Sequence, residues 1–399
     1  MQTKTKLQKY NRIGWMPFLK DVLICSLGAY GGPEAHYGVF TEQMVVKKKY
    51  LTEEELVELI ALTTILPGPS STQTIVSIGY KFGGPFLAFL TMLVWAVPVI
   101  ILMTLLSFLS GFLGEMNISQ DGLRYIGPMA VGFIIVAAYR IGSKVVTDKM
   151  TLGLLLFGAI TTYFIRMPWI YPLVLILGGL VSIKASKEDT LWNHIKINPP
   201  WIYMSIFLIF AIGSISLSLI YRNTLLHLFE SFYRYGYLVI GGGQVVVPMM
   251  YSELVEFNNY MTNQEFLTGF GLVQGLPGPM FSFSAYAGGM ATRTQGPIIQ
   301  VLGAMVSSIG IFLPGLLLIY FVYPIWERLK EIKGIKISLK GITAVAGGLI
   351  SIAAIILMQK SGFSLDNVLI TLFTVIILLT KKIPAPLIVL SVLIMGFIL

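Results

Sequence analysis

The sequence predicts an all-α polytopic membrane protein built from two inverted-topology repeats of about six segments each, joined by one connecting helix. Composition is the first reason. Of 399 residues, 55% are hydrophobic and only 12% are charged, whereas a soluble domain carries about 25% charged residues; mean hydropathy is +0.79. Internal repetition is the second. Leu-Pro-Gly-Pro occurs at Leu66–Pro69 and again at Leu276–Pro279. A shift of 210 positions pairs Gly31-Gly32 with Gly241-Gly242, Tyr50 with Tyr260, Thr52 with Thr262 and Glu55 with Glu265. Past the tetrapeptide the shift is 216, pairing Pro98 with Pro314, Gly132 with Gly348 and Pro168 with Pro384, so one insertion of six residues near the start of the following segment aligns the halves. Broken apolar stretches at corresponding places in two halves are the third reason, because they mark the binding sites of secondary transporters.

The elements follow in order. Apolar segments lie at about 15–31, 60–80, 84–110, 122–143, 151–166 and 169–184, with partners at about 225–241, 267–292, 297–325, 338–358, 365–381 and 384–399. Trp201–Tyr221 has no partner and joins the halves, which makes about 13 segments. Several have only 15–17 residues, short of the roughly 20 that a straight span needs, and read as half-spans or as spans of thin membrane. One half plus the connector is an odd number of crossings, so the second half enters from the opposite face. The resulting units are 1–190 for the first repeat, 191–224 for the connector and 225–399 for the second.

Charge gives the orientation. With the N-terminus in the cytoplasm, 19 of the 28 Lys and Arg fall on the inner side, as the positive-inside rule requires. Lys47–Lys49 are the main misfit and suggest that the second segment is re-entrant. The net charge of +9 is spread over these loops and gives no basic patch for nucleic acid. The single cysteine, Cys25, excludes an intramolecular disulfide. The basic N-terminus precedes a retained membrane segment, with no convincing small-residue cleavage site after it. No Walker-type glycine loop, Cys/His cluster or His-Glu-x-x-His occurs, so neither a nucleotide, a metal nor another cofactor is expected, and the chain is not read as an enzyme.

Chemistry concentrates at the breaks. Pro67 and Pro69 lack N–H groups and push the residues before them out of helical conformation, and Gly68 tolerates any backbone angle. Ser70, Ser71 and Thr72 can then cap a new helix through Gln73, whose N-terminus is a ready anion site. The second copy, Pro277-Gly278-Pro279, is less polar, with Phe283 in place of Gln73, although Ser282 and Ser284 remain candidate ligands. The other element is Gly31-Gly32-Pro33-Glu34-Ala35-His36, answered by Gly241-Gly242-Gly243-Gln244. Two helix N-termini supply about one positive charge, so a bound dianion needs one more. His36, with Glu34 as partner, is the first candidate to supply it and to couple proton movement; Arg124 or Lys340 would substitute if either points inward. Interfacial snorkelling is the default reading of that pair. Glu42, Glu53, Glu55 and Glu58 fit a solvated helix face better than a relay.

The run Gly31-Gly32-Pro33-x-Ala35-His36, then Leu66-Pro67-Gly68-Pro69-x-x-Thr72-Gln73 and Ile78-Gly79, resembles the chromate ion transporter family. Repetition of the motif at Gly275–Pro279 is similar to that family's two-domain, long-chain form. Tyr30 stands where the family usually has Phe, and Gly243 replaces the proline in the second copy. The resemblance implies a plasma-membrane carrier that exports chromate, driven by the membrane potential or an ion gradient; sulfate or another tetrahedral oxyanion stays open. An anion channel on the same halves is the first alternative, and a membrane-embedded scaffold or enzyme the second. The expected partners are the oxyanion and the lipid bilayer; the sequence leaves oligomeric state open, a homodimer included.

Overall fold

The computed structural model describes residues 14–115, 123–186, 188, 198–240, 243–330 and 332–398. All regular structure among them is helical. The first half holds α1 (Trp15–Gly28), α2 (Pro33–Phe40, widening into a π-helical turn at Thr41–Lys47), α3 (Glu53–Ile65), α4 (Ser70–Glu115), α5 (Ile126–Val145), α6 (Lys149–Phe164) and α7 (Ile170–Ala185). The connector is α8 (Trp201–Ile220). The second half holds α9 (Thr224–Leu238), α10 (Val247–Tyr251, widening at Ser252–Phe257), α11 (Asn263–Gly275), α12 (Phe283–Thr292), α13 (Pro297–Val322), α14 (Lys333–Ser361), α15 (Leu365–Thr380) and α16 (Ala385–Ile398). Five helical stretches, 70–109, 126–145, 201–220, 297–329 and 333–361, are long and apolar enough to cross a membrane, and the molecule is a multi-pass membrane protein.

The repeat is visible at the level of single caps. Thr52 and Thr262 each close a capping box, with Glu55 and Glu265, which satisfies two N-terminal amides that a helix otherwise leaves bare. Just before them, Lys49 and Asn259 each take φ +51°. Both second helices widen into a π turn at matching positions. Helices α5 and α14 end at Val145 and Ser361, and α6 and α15 span matching stretches, all under the 216 shift.

Three sequence expectations change. The stretches 33–47 and 243–257 are helical in both halves, although they fall between the apolar segments expected at 15–31 and 60–80 and at 225–241 and 267–292. The span expected at 60–80 is two helices, α3 and α4, with Leu-Pro-Gly-Pro between them. The inserted residues are also divided. Both α4 and the chain before α13 bend at a Gly-Pro step, Gly84-Pro85 and Gly296-Pro297, where the glycines take φ +67° and +96°. That is a shift of 212 (from 84 to 296), so two extra residues precede the bend and the remaining four, about one helical turn, lie between it and Pro98 or Pro314.

The halves interlock through backbone. The Gly68 amide donates to the Val239 carbonyl at 2.8 Å, and the Gly278 amide to the Ala29 carbonyl at 2.8 Å. Under the 210 shift these are the same bond made twice, with donor and acceptor halves exchanged. Deeper in the sequence, α5 runs beside α15 in the same direction: Thr371 Oγ1 donates to the Pro128 carbonyl and Arg140 Nη2 to the Leu378 carbonyl, each at 3.0 Å. Gly132 lies hard against Thr371 and Thr374, and Gly348 of α14 meets Leu155 and Ala159 of α6 the same way; a Cβ on Gly348 would sit 2.1 Å from the Leu155 carbonyl oxygen. Connector α8 buries only Ser214, packing along α9 and α13 at the outer edge.

Candidate functional site

A cavity of about 520 Å³ lies where the first-half breaks meet the ends of α5 and α15. Tyr30 to Ala35 form one wall, Leu66, Gly68 and Ser70 a second, and Gly243, Gln244, Gln274 and Met280 bring in the other half. The glycines are structural necessities here. Gly31, Gly32 and Gly68 take φ +84°, +94° and +130°, a region L side chains avoid. They turn the chain so that α2 and α4 both begin at the cavity, each presenting first-turn amides without intrahelical partners.

Four charges line the same space: Arg140 and Lys144 from the last turns of α5, Lys381 just after α15, and Glu34 from the first turn of α2. Glu34 pairs with Lys144, and both side chains are more than half exposed, at 55% and 69%, so they mark the rim. Arg140 and Lys381 also lie within electrostatic reach of Glu34. The lining therefore carries three cations and one carboxylate, a net charge of +2. Lys381 takes a strained φ of +58° where α15 stops.

Residues singled out from sequence divide into three groups. Gly31, Gly32, Pro33, Glu34, Gly68, Ser70, Gly243 and Gln244 line the cavity; Gly242 lies outside the described residues. A second group builds the frame behind it. His36 is 2% exposed, bonded through Nδ1 to Ser71 Oγ at 2.9 Å and packed edge-on against Trp95 at 5.4 Å. The Trp95 indole in turn donates to Thr72 Oγ1 at 3.1 Å. Gln73 spans its own break, donating from Nε2 to the Pro67 carbonyl at 2.9 Å and toward the Gly315 carbonyl at 3.4 Å. Pro69 and Gln73 pack on Gly315, while Gly278 takes φ +93° against Val99. Pro277 and Pro279 bracket that second turn outside the lining. Ser282 is fully buried and its hydroxyl has no hydrogen-bond partner, while Ser284 bonds Ser308.

The third group is elsewhere. Arg124 lies over its neighbour Tyr125 and bonds its hydroxyl. Lys340 pairs with Asp148 at 2.6 Å, where both side chains are over two-fifths exposed, and Glu42 pairs with Lys47. The Lys340 ammonium, and after it the Thr151 amide, hold the Asp148 carboxyl at about 2. None of His36, Arg124 and Lys340 lines the cavity, and the cations that do are Arg140, Lys144 and Lys381. These three had counted only as cytoplasmic loop charges. The one sequence signal was Arg140, five residues before its helix end (from 140 to 145), whose counterpart under the 216 shift is the apolar Ile356.

Comparison with known proteins follows the same two halves. The family model described as chromate transporter matches residues 17–183 and 226–397. A probable chromate transport protein of Synechococcus elongatus is 26% identical over 378 residues, 93% of each chain. A chromate transport protein of Cupriavidus metallidurans is 24% identical over 375 residues, 92% of this chain and 89% of that one. An uncharacterized transporter of Methanocaldococcus jannaschii is 24% identical over 402 residues, 99% of this chain and 97% of its own. No solved structure matches.

Proposed function

The chain belongs to the chromate transporter family, whose members are transport proteins and not enzymes, and on that premise we propose that it is a secondary active carrier exporting chromate, or a related tetrahedral oxyanion, across the plasma membrane. The observation that carries this reading is the charge balance of the cavity. A lining of +2 matches a dianion, and two helix N-termini add about half a charge each. Arginine and lysine suit tetrahedral oxyanions, the first as a planar fork and the second as a point charge. With no anion bound, Glu34 and Lys144 neutralise one another at the rim; an entering dianion competes with Glu34 for the ammonium.

Alternating access needs two equivalent half-sites that exchange roles, and inverted repeats supply them. Helix direction supports that arrangement. Helix α6 turns back from α5 after the three residues 146–148, while α15 runs alongside α5 in the same direction. Counterparts α6 and α15 therefore point opposite ways. Residues 1–190 and 225–399 then act as the two repeats, with 191–224 as the connector. In the proposed orientation with the N-terminus inside, the cavity mouth at Arg140, Lys144 and Lys381 faces the cytoplasm, which suits an exporter.

The test is uptake of chromate into inside-out vesicles, with sulfate and molybdate as competitors. Saturable uptake that responds to an imposed gradient supports the carrier. Flux that never saturates and ignores a second gradient would assign an anion channel, and no chromate flux with rapid sulfate flux would reassign the substrate.

A further inference from the structure

A cluster of deeply buried charges lies away from the cavity, between α9 and the π turn after α10. Arg234, Glu230 and Glu253 are each 3–4% exposed. The Arg234 guanidinium donates from Nε to Glu230 Oε1 at 2.7 Å and from Nη2 to Glu253 Oε1 at 2.8 Å. Ser231 Oγ and the Tyr235 hydroxyl each donate to Glu253 at 2.7 Å. His227, one turn earlier on α9, has a ring nitrogen within 4.8 Å of a carboxylate oxygen of each glutamate, and its Nδ1 is buried without a partner. Other charged groups facing the cluster belong to the Arg166–Glu256 pair at 3.0 Å and to Lys360, 3.8 Å from Glu256; Tyr260 and Tyr237 add hydroxyls from the neighbouring turns.

Within the buried core, two carboxylates and one guanidinium sum to −1; the facing Arg166, Glu256 and Lys360 add +1, but all three side chains are more exposed and lie at its edge. An unbalanced charge buried this deeply in a membrane protein is costly, and one added proton brings the cluster to neutrality. A metal ion is poorly served, because the guanidinium occupies the space between the carboxylates and every carboxylate oxygen already accepts a hydrogen bond. The cluster also lies under a lid. Trp169 covers the guanidinium at 4.9 Å, and Ser252 Oγ donates to the Arg166 carbonyl at 2.9 Å, pinning the α6–α7 turn onto α10. Under the 216 shift, that turn is the counterpart of Lys381 to Ala385, which border the open cavity.

We propose that Glu230, Glu253, Arg234 and His227 form the site that carries the proton exchanged for the exported anion, sealed here by Trp169 and the α6–α7 turn. This rests on the carrier reading of the cavity. In the N-inside orientation the cluster faces outward, so a proton enters when that turn lifts and the cytoplasmic mouth closes. Under the 210 shift, His227, Glu230, Arg234 and Glu253 correspond to Pro17, Lys20, Ile24 and Gln43, and Ser231 to Asp21. There the single buried acid, Asp21, is bonded by Gln43 at 2.8 Å and Tyr50 at 2.6 Å and balanced by Lys48 at 3.2 Å, so no proton is wanted.

The experiment uses the full chain in chromate-loaded liposomes with a pH dye inside. Wild type should acidify the lumen as chromate leaves, and an acid exterior should speed the exit at least severalfold. Glu230→Gln and Glu253→Gln should lose both effects while chromate–chromate exchange continues; Glu253→Asp should recover part, and Asp21→Asn should behave as wild type. Gradient-driven exit surviving in both Gln variants, or chromate exit without lumen acidification in wild type, overturns the proposal. A second measurement needs no chromate. Infrared titration of the detergent-solubilised protein should show a protonated-carboxyl band that disappears in both Gln variants. Its absence from wild type overturns the proton site even if transport proceeds, whereas its presence with no chromate flux overturns the proposed substrate alone.

Discussion

Arg140→Gln is the sharpest test of how the cavity selects its ligand. The lining holds Arg140, Lys144 and Lys381 against Glu34, so the substitution lowers its charge from +2 to +1. A hydrogen bond to a charged group contributes about 1.5–3 kcal/mol, which is about ten- to a hundredfold in half-saturation. Electrostatic attraction scales with the charge of the ligand, so a dianion should lose more than a monoanion, and selectivity between them should narrow. Arg140 also holds the Leu378 carbonyl at 3.0 Å. Arg140→Lys, which keeps the charge but not the fork, therefore separates charge from bracing and should fall between wild type and Gln. Glu34→Gln works in the other direction: it raises the lining to +3 and frees Lys144, so apparent affinity for chromate should rise while release slows. The assay is chromate uptake by inverted vesicles across a concentration series, with a monovalent oxyanion in parallel. If Arg140→Gln and Glu34→Gln shift half-saturation in the same direction, electrostatic selection by this cavity is refuted.

Three further outcomes follow from local geometry. Gly68→Ala should abolish transport: the new Cβ would lie 2.5 Å from Gln73 Nε2 at φ +130°, combining backbone strain of about 1–3 kcal/mol with loss of a brace of about 1 kcal/mol. Gly278→Ala meets Val99 at 3.1 Å and breaks no bond of that kind, so it should be milder; equal losses of flux and thermal stability in the two would count against the Gln73 brace. His36→Ala should lower thermal stability by removing the Ser71 bond and the Trp95 contact, about 1–3 kcal/mol together, yet leave the pH profile of transport unaltered; a flattened profile would return proton coupling to His36. Asp148 is held at about 2 by Lys340, below its unfolded value near 3.9. A depressed carboxyl stabilises fully above the unfolded value and loses that contribution as pH falls toward 2. Thermal melts should therefore show the same Asp148→Asn effect from pH 5 to pH 8.

The frame was legible because its signals are about backbone. Two prolines around a glycine cannot continue a helix in any surroundings, and the paired caps at Thr52 and Thr262 announce a helix start from sequence alone. Lys47–Lys49, the misfit in the charge count, lie at a turn that the sequence does not explain: Lys48 reaches the buried Asp21 and Lys49 takes a left-handed φ. Helix α2 and its counterpart were missed for the opposite reason. Their Glu34, Glu42 and Gln43 interrupt the apolar run, so the stretch does not read as a membrane segment until tertiary partners are known. The cavity cations were hidden more deeply. Lys144 and Lys381 are 237 positions apart (from 144 to 381), and only the parallel packing of α5 on α15 brings them to one mouth. His36 illustrates the converse. A histidine beside a glycine turn reads as a ligand, but Trp95, 59 positions later (from 36 to 95), closes over it and makes it part of the wall.

What the repeat conserves and what it exchanges are different things. The bond from break glycine to opposite carbonyl is made twice at the same length, because each half needs the other to satisfy a backbone that proline has left without helix. The buried polar knot between the first helix and the π turn is also made twice, but with the acid moved across the pair. Asp21 accepts from Gln43 in the first half, and Glu253 accepts from Ser231 in the second; position 21 corresponds to 231 and 43 to 253. Moving the acid preserves the staple and alters what surrounds it: on the first side a half-exposed lysine balances the charge, on the second an arginine falls one charge short of two glutamates. The cavity shows the same division in reverse: Arg140 and Ser70 line it, and the second half has Ile356 and Met280 at the corresponding positions. A symmetric scaffold allows the two faces to exchange open and closed states. On the proposed reading, unequal side chains on it let one face hold an anion and the other a proton, and coupling between them requires that neither face hold both. Placing an acid pair at the Asp21–Gln43 knot by Gln43→Glu should therefore loosen coupling, letting protons cross without chromate. A tightly coupled Gln43→Glu variant, read by the lumen dye with no anion present, would show that the division of charge is incidental.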